Sequence, residues 1–320
     1  MSSRVRAVVG RFGSLISLLV MCAVLQVASK GTFLTAENIM NVGRQIAEIA
    51  IMAVGQTLVI IAGGIDLSVG SVLAFSGVAT GLVLTSTGNI PLGVCAGLAA
   101  GSLCGGLNGF LVTKGKIPPF VVTLGMMGVA SGVALVLTGG TNIFIDIPIQ
   151  ERGFNSIGLG RLFETIPIPL IIMAFVALLA HIVLSKTPTG RYIYAIGGSA
   201  ESARLSGISV NKYQGLTFLI SGFTAGLAGV VLASRLGISQ PTAGQGYELD
   251  TIAATVIGGA SLMGGIGTIP GTLIGAFIMA VLRNGCNLLD ISEFWQRIAI
   301  GTIVVLAVYY DHLRRRRSVI

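Results

Sequence analysis

Ten long apolar runs, separated by short breaks, fill this sequence and limit what it can fold into. They lie at about 13–29, 46–63, 67–87, 91–113, 118–138, 167–185, 213–235, 249–263, 268–289 and 294–311. Charged residues make up only 10% of the chain, against about 25% in soluble globular proteins. A helix needs about 20 apolar residues to cross the hydrocarbon core of a bilayer. The runs therefore predict an all-α polytopic membrane protein with about ten transmembrane helices and one transmembrane domain over residues 1–320.

Basic residues collect in four places, and their positions predict the orientation. An even number of spans puts both termini on one side of the membrane, and cytoplasmic loops carry an excess of Lys and Arg. All four clusters fall on the side of the termini: Arg4, Arg6 and Arg11; Lys114 and Lys116; Lys186, Arg191, Arg204 and Lys212; and Arg314–Arg317. Loops on the other side carry mixed or acidic charge, such as Glu248 and Asp250. We therefore expect both termini in the cytoplasm and attribute the net charge of +8 to topology, with no nucleic acid partner.

The first apolar run has a second interpretation as a secretory signal peptide, because three arginines precede it. The sequence Val27-Ala28-Ser29 is a poor cleavage site, and nine more runs follow it. An uncleaved first helix is the simpler interpretation.

A polar break, Gly63-Gly64-Ile65-Asp66-Leu67-Ser68, separates the second run from the third. Irregular backbone at membrane depth survives only where protein or an aqueous cavity covers it, and an ionisable group there is a candidate for function. Two interpretations of Asp66 stay open. Either it lines the path of a hydroxylated solute, or it caps the helix that begins near Leu67 by accepting hydrogen bonds from free amides. The position of the break at the cytoplasmic end of the second span favours the cap.

Glycine recurs every four residues in two runs, at Gly97, Gly101, Gly105 and Gly109 and at Gly267, Gly271 and Gly275. Such spacing gives a helix a flat face, and close approach over small residues is how helices associate in lipid. We expect tight packing there, and some of these faces to permit helix movement. Residues 63–70 and 258–265 also show weak sequence similarity to each other. They share four identities in eight positions, three of which are glycines.

The break over residues 186–212 is the longest on the cytoplasmic side. Ser199 is a candidate N-cap, Glu201 complements the dipole of the first turn, and Gly207 ends the helix. The sequence thus predicts a short amphipathic helix, which either lies on the lipid surface or docks a soluble partner.

Side chains for catalysis or metal binding are scarce in this chain. The two histidines, His181 and His312, sit near predicted span ends, and the four cysteines lie inside runs without a Cys-x-x-Cys pattern. The cysteines are typical of small apolar residues, so neither disulfides nor a metal site are expected. The Gly-x-x-x-x-Gly-Lys-Ser/Thr phosphate loop does not occur in the sequence. We expect no catalytic residue and no cofactor in this chain.

Several segments together resemble one family, the ribose-type sugar permeases of bacterial ATP-binding-cassette importers, within the branched-chain amino acid and sugar permease superfamily. The resemblance extends from about Phe33 to the C-terminus. It rests on Gly55-Gln56-Thr57-Leu58-Val59-Ile60 and 63–71, on 190–198 with 203–208, on 240–250, and on 258–265.

The resemblance implies a permease subunit of the bacterial inner membrane that imports a neutral monosaccharide, ribose or a similar sugar, by alternating access. It implies three protein partners: a second permease copy, a cytoplasmic ATPase that binds ATP, and a periplasmic sugar-binding protein, with membrane lipid around them. In the family the loop between the sixth and seventh spans carries the coupling helix, here Ala200–Ser206. The residues expected to contact the ATPase are Glu201, Ser202, Arg204 and Gly207.

Few charges lie within the runs, and uncharged polar side chains suit a neutral solute because no ion need be buried. Besides Asp66, the candidates for the substrate path are Gln56, Ser68 and Asn108, each equally consistent with an interhelical hydrogen bond. The alternative function is a secondary sugar transporter driven by an ion gradient, with Asp66 or Glu48 as the coupling carboxylate.

Overall fold

The computed structural model describes the backbone of residues 3–318 and the side chains of residues 14–306 and 309. Helices dominate it, and seven of them in this part of the chain are long and apolar enough to cross a membrane. These seven are α2 (Ala36–Ile61), α3 (Val69–Thr87), α4 (Ile90–Thr113), α5 (Pro119–Thr138), α8 (Ile168–Lys186), α11 (Val210–Leu236) and α13 (Ile269–Leu288). The expectation of an all-α membrane protein is confirmed at this level, while a count of ten spans stays a prediction.

Helices also form over the remaining three runs. They are α1 (Ser3–Ala28), α12 (Tyr247–Ile257) and α14 (Glu293–Ser318). The eighth run, expected at 249–263, coincides with the 11-residue helix α12, which begins at Tyr247 and ends at Ile257, before the run does. At 1.5 Å per residue this helix is about 16 Å long, about half the thickness of the hydrocarbon core. It ends because Gly259, Gly264 and Gly265 adopt positive φ angles, which a continuous helix excludes.

Capping residues set the ends of several helices. The hydroxyl of Thr35 accepts from the amide of Asn38 at the start of α2, and the side chain of Asn89 accepts from the amide of Leu92 at the start of α4. Gly139, at φ 60°, ends α5 in the left-handed conformation. These local signals explain why the long apolar sequence divides into separate helices.

The glycine face of α4 packs against α11 as expected. A β-carbon at Gly101 would clash with the carbonyl oxygen of Gly222, and one at Gly105 would clash with that of Phe218. On α13, Gly275 meets the backbone of Ala254 on α12, and Gly271 meets that of Gly258 just after α12, whereas Gly267 lies in the loop before α13. The prediction of close helix packing over small residues is therefore confirmed for the set on α4 and for Gly271 and Gly275, but not for Gly267.

The centre of the molecule is α2, whose residues from Ile46 to Ile61 are all buried. Helices α8, α11, α12 and α13 pack around it. Short elements close one end of this bundle: β1 (Ile143–Phe144), α6 (Ile147–Ile149), a π-helical turn (Gln150–Phe154), α7 (Asn155–Leu159), β2 (Arg161–Leu162), β3 (Ile166–Pro167) and β4 (Ile238–Ser239). Strand β1 pairs antiparallel with β4, and β2 pairs antiparallel with β3. At the other end, α9 (Pro188–Gly198) and α10 (Ala200–Leu205) connect α8 to α11.

Candidate functional site

Two interruptions of the helices meet at the end of the bundle that carries α9. One is the loop 62–68 between α2 and α3, and the other is the loop 258–268 between α12 and α13; together we call them the double break. The amide of Gly265 donates a 2.9 Å hydrogen bond to the carbonyl oxygen of Ile61. A β-carbon at Gly264 would lie 3.1 Å from the Cα atom of Gly63. The two segments with weak sequence similarity, residues 63–70 and 258–265, are therefore in direct contact.

Helix α9 packs against the double break from the end of the bundle that carries α10. The hydroxyl of Tyr194 donates a 2.6 Å hydrogen bond to the carbonyl oxygen of Gly267. Burial raises the pKa of this hydroxyl above its ordinary value, so it keeps its donor proton at neutral pH. Gly197 lies so close to Ile61 and Gly265 that a β-carbon would clash with both. The close contact between α9 and the double break therefore requires glycine at position 197.

Asp66 lies within the double break at the centre of a buried polar network, with 1% of its surface exposed. Its Oδ1 atom accepts hydrogen bonds from the Ser68 amide at 2.9 Å and from the Ser68 hydroxyl at 2.6 Å. Its Oδ2 atom accepts from the hydroxyl of Ser221 on α11 at 2.8 Å. Because α3 begins at Val69, Asp66 satisfies an amide just before the helix and not one in its first turn. The side chain therefore closes the turn before α3 and also ties it to α11.

The other three candidates for the substrate path join the same network. The side-chain amide of Asn108 donates to the Ser68 hydroxyl at 3.0 Å. In the orientation that satisfies both of its atoms, the amide of Gln56 donates to the carbonyl of Asp66 at 3.2 Å and accepts from the Asp66 amide at 3.3 Å. All four candidates are at most 1% exposed. They are brought together as interhelical contacts, and their role in a substrate path stays a prediction.

Two residues of this region were missed by the sequence analysis. The hydroxyl of Thr123 on α5 donates a 3.1 Å hydrogen bond to the carbonyl oxygen of Ile65, and Ser221 bonds to Asp66. Serine and threonine are common in apolar helices, where they usually bond to their own backbone, so neither position carries a distinguishing signal in the sequence.

Two ion pairs lie toward the opposite end of the bundle. Arg235 donates to both carboxylate oxygens of Glu48, at 2.7 and 3.1 Å, and Arg283 donates to Asp250 at 2.5 Å. Asp250 is completely buried in a helix, so its assignment to a loop on the external side was wrong. The reason is that α12 begins at Tyr247, which places Asp250 in the first turn of a helix packed among its neighbours. Arginine near the end of an apolar run was the signal that could have indicated these pairs.

The predicted coupling segment has the expected local structure at the end of the bundle near the double break. The Ser199 hydroxyl accepts from the amide of Ser202 at the start of α10, and Gly207 ends the segment at φ 80°. Glu201 and Arg204 form an exposed ion pair at 3.4 Å. The short helix is thus confirmed, and its exposed side is available to a partner.

A basic cavity of about 1000 Å³ lies beside α10. Its wall includes Lys114 and Lys116 from the loop between α4 and α5, Arg204 from α10 and Lys212 from α11. The structure therefore gathers two of the predicted cytoplasmic clusters at one end of the bundle. The basic residues Arg4, Arg6, Arg11 and Arg314–Arg317, together with His312, lie outside the described side chains.

Comparison with known proteins identifies the family. The model of the family described as "Branched-chain amino acid transport system / permease component" matches residues 38–308. The chain belongs to this family. Membership of this family, together with the seven apolar helices among the described residues, makes the chain a multi-pass protein of the bacterial inner membrane. The search of solved structures gave no significant match.

Curated members of the permease family align with almost the whole chain. It is 44% identical over 308 residues to the ribose import permease protein RbsC of Haemophilus influenzae, with 95% of each chain covered. It is 41% identical over 308 residues to the RbsC protein of Bacillus subtilis, covering 95% of this chain and 93% of that protein. The xylose transport system permease protein XylH of Haemophilus influenzae is 34% identical over 360 residues, with 95% and 96% covered.

Proposed function

We propose that this chain is the membrane-spanning subunit of an ATP-driven importer for a neutral monosaccharide, ribose or a similar sugar. The observation that carries the proposal is identity of 41–44% with ribose import permeases over about 95% of the chain. The more distant similarity to a xylose permease supports a pentose as the substrate class. The chain would supply the path, and ATP hydrolysis would take place on a separate ATPase.

The ATPase would dock on the end of the bundle that carries α10 and the basic cavity, which is the cytoplasmic side in the orientation we propose. Four cations line that cavity, so acidic side chains on the partner would complement it. Glu201, Ser202 and Arg204 stand on the exposed segment beside it, and Gly207 sets its end. Both termini of the permease would lie on this side, and the sugar-binding protein would deliver its ligand to the other.

The contacts of α9 suggest how motion of the ATPase reaches the substrate path. Helix α10 follows α9 with only Ser199 between them, and α9 contacts the double break through Tyr194 and Gly197. The double break itself contains Asp66 and Ser68, which belong to the buried polar network. Displacement of α10 would therefore shift α9 and, through it, the loops between α2 and α3 and between α12 and α13. In this proposal the loops rearrange as the path alternates between inward-open and outward-open states.

A second permease copy would complete the pore in this proposal. In each of helices α4, α5 and α8, only 28% of the residues in the most apolar stretch are buried within the chain. Most of their surface is therefore left to lipid or to a partner. Crosslinking of the purified importer would test the stoichiometry, with two copies of this chain per complex as the expected result.

Reconstitution tests the proposed function. Proteoliposomes that contain the permease, its ATPase and its binding protein should accumulate labelled ribose or xylose only when ATP is supplied to the ATPase. Permease alone should transport neither sugar under a proton or sodium gradient. Gradient-driven uptake by the chain alone would support the secondary transporter instead, and would contradict our proposal.

A further inference from the structure

A second polar cavity, of about 310 Å³, lies far from the double break. Gln45 on its wall precedes Ile61 by 16 residues on α2, which places it about 24 Å along the helix axis from the double break. The other polar side chains of the wall come from four more helices: Arg235, Tyr247, Arg283, Asn287, Glu293 and Gln296. Helix ends that are distant in sequence thus converge on one partly open cavity. In the proposed orientation this is the external end of the bundle.

Two groups on the wall have unused hydrogen-bonding capacity. Neither the side-chain amide of Gln45 nor the hydroxyl of Tyr247 has a hydrogen-bond partner among the described residues. An amide both donates and accepts, and so does a phenolic hydroxyl. A ligand rich in hydroxyl groups would match both of them.

The charges around the cavity cancel in pairs. Arg235 is paired with Glu48, Arg283 with Asp250, and the wall residue Glu293 with Arg297. The guanidinium group of Arg283 also lies 5.6 Å from the centre of the Tyr247 ring. Each arginine keeps further N–H donors for a ligand, yet the site has no excess positive charge to attract an anion. This distinguishes it from the basic cavity beside α10.

We propose that this cavity is a binding subsite for one neutral monosaccharide at the external end of the permease. The inference rests on the proposed function and adds to it the place where the sugar first contacts the chain. A volume of about 310 Å³ is at the lower end of the range of about 300–1,000 Å³ found for small-molecule sites, which suits a single sugar ring. The aromatic ring of Tyr247 offers an apolar face, while Gln45, Asn287 and the arginines bind the hydroxyl groups.

Protection from chemical labelling tests this proposal without any need for transport. The full chain carries Gln45→Cys on a background in which the four native cysteines are replaced, and is reconstituted in vesicles. Ribose or xylose is added at about 100 mM, a concentration that would fill even a weak site with a Kd of about 1 mM. Either sugar should slow maleimide labelling of this cysteine at least threefold. Asn41→Cys, on an exposed position of the same helix outside the cavity wall, is the matched control and should label at an unchanged rate. Ribose 5-phosphate should give no protection.

If neither sugar slows the labelling, or if the sugar phosphate slows it equally, the proposal is wrong.

A cavity-filling variant provides a second measurement in the complete importer. Gln45→Trp should lower ATP-driven uptake at least tenfold, and Asn41→Trp less than twofold, in complexes assembled to the same extent. Wild-type uptake together with unimpaired uptake by Gln45→Trp would reject the subsite and leave the proposed function standing. Failure of the wild type to import any sugar would instead reject the proposed function.

Discussion

The amide of Gly265 donates a hydrogen bond to the carbonyl oxygen of Ile61, and this contact joins two helix interruptions that are separated by about 200 residues of sequence. The acceptor is the last residue of α2, and the donor lies in the loop before α13. Both loops contain glycines with positive φ angles, which permit the backbones to approach without side chains between them. Helix α9 covers the junction. Helix α9 therefore has direct access to both places where the long helices are interrupted.

The contact of α9 with this junction predicts a large effect of a small substitution. Gly197→Ala would insert a methyl group against the backbone of Ile61 and Gly265, and overpacking of this kind costs about 1–3 kcal/mol. We expect lower thermal stability and loss of sugar uptake in proteoliposomes. Gly198→Ala is the matched control, because a β-carbon there meets nothing within 4 Å. Equal behaviour of the two variants would exclude a role for the contact.

Two replacements of Asp66 distinguish the contribution of its hydrogen bonds from that of its negative charge. Asp66→Asn keeps an oxygen that accepts from Ser68, and its amide can donate to the hydroxyl of Ser221, so stability and uptake should be largely preserved. Asp66→Leu leaves buried polar groups without partners, each at a cost of about 1–3 kcal/mol, and should strongly destabilise the protein. Thermal unfolding and uptake measure both effects. Loss of uptake by a stable Asn variant would show that the carboxylate charge itself is needed.

Removal of the exposed ion pair on α10 tests the coupling assignment. The double variant Glu201→Ala/Arg204→Ala should unfold at nearly the same temperature, because exposed ion pairs contribute only about 0–1 kcal/mol. It should nevertheless co-purify with less ATPase and lose sugar-stimulated ATP hydrolysis. The exposed pair Glu293 and Arg297 on α14 offers a control of the same type. Glu293→Ala/Arg297→Ala should retain the ATPase, whereas undiminished ATPase binding by the α10 variant would contradict the assignment.

The pair of Glu48 with Arg235 is expected to be structural. Glu48→Leu should destabilise the protein by about 3–5 kcal/mol, because it leaves the guanidinium group largely buried without a partner. The double variant Glu48→Leu/Arg235→Met should recover most of that stability, because neither charge is then left buried alone. Its sugar uptake should stay reduced, because Arg235 also lines the proposed sugar subsite. Chemical denaturation in detergent and uptake in vesicles provide the two readouts. A double variant as unstable as Glu48→Leu would contradict the structural role of the pair.

Local sequence signals determined many of the individual elements. Ser199 and Gly207 marked the ends of the segment around α10, and the four-residue glycine spacing on α4 identified the face that packs against α11. Such signals act within one or two helical turns, so they can be found without knowledge of the fold. The length of α12 was overestimated because apolar composition alone does not distinguish a helix from an apolar loop in which glycines turn the backbone.

The sequence by itself determined that this chain is a helical membrane protein, where its helices are interrupted, and which polar residues stand near the first interruption. Only the tertiary structure decided that Gln56, Asp66, Ser68 and Asn108 form one network, and that Arg235 pairs with Glu48 across 187 residues. The physical reason is the range of the interactions. Hydrophobic periodicity and capping depend on neighbours along the chain, whereas buried polar groups are satisfied by whichever partner the packing of the helices brings within about 3 Å.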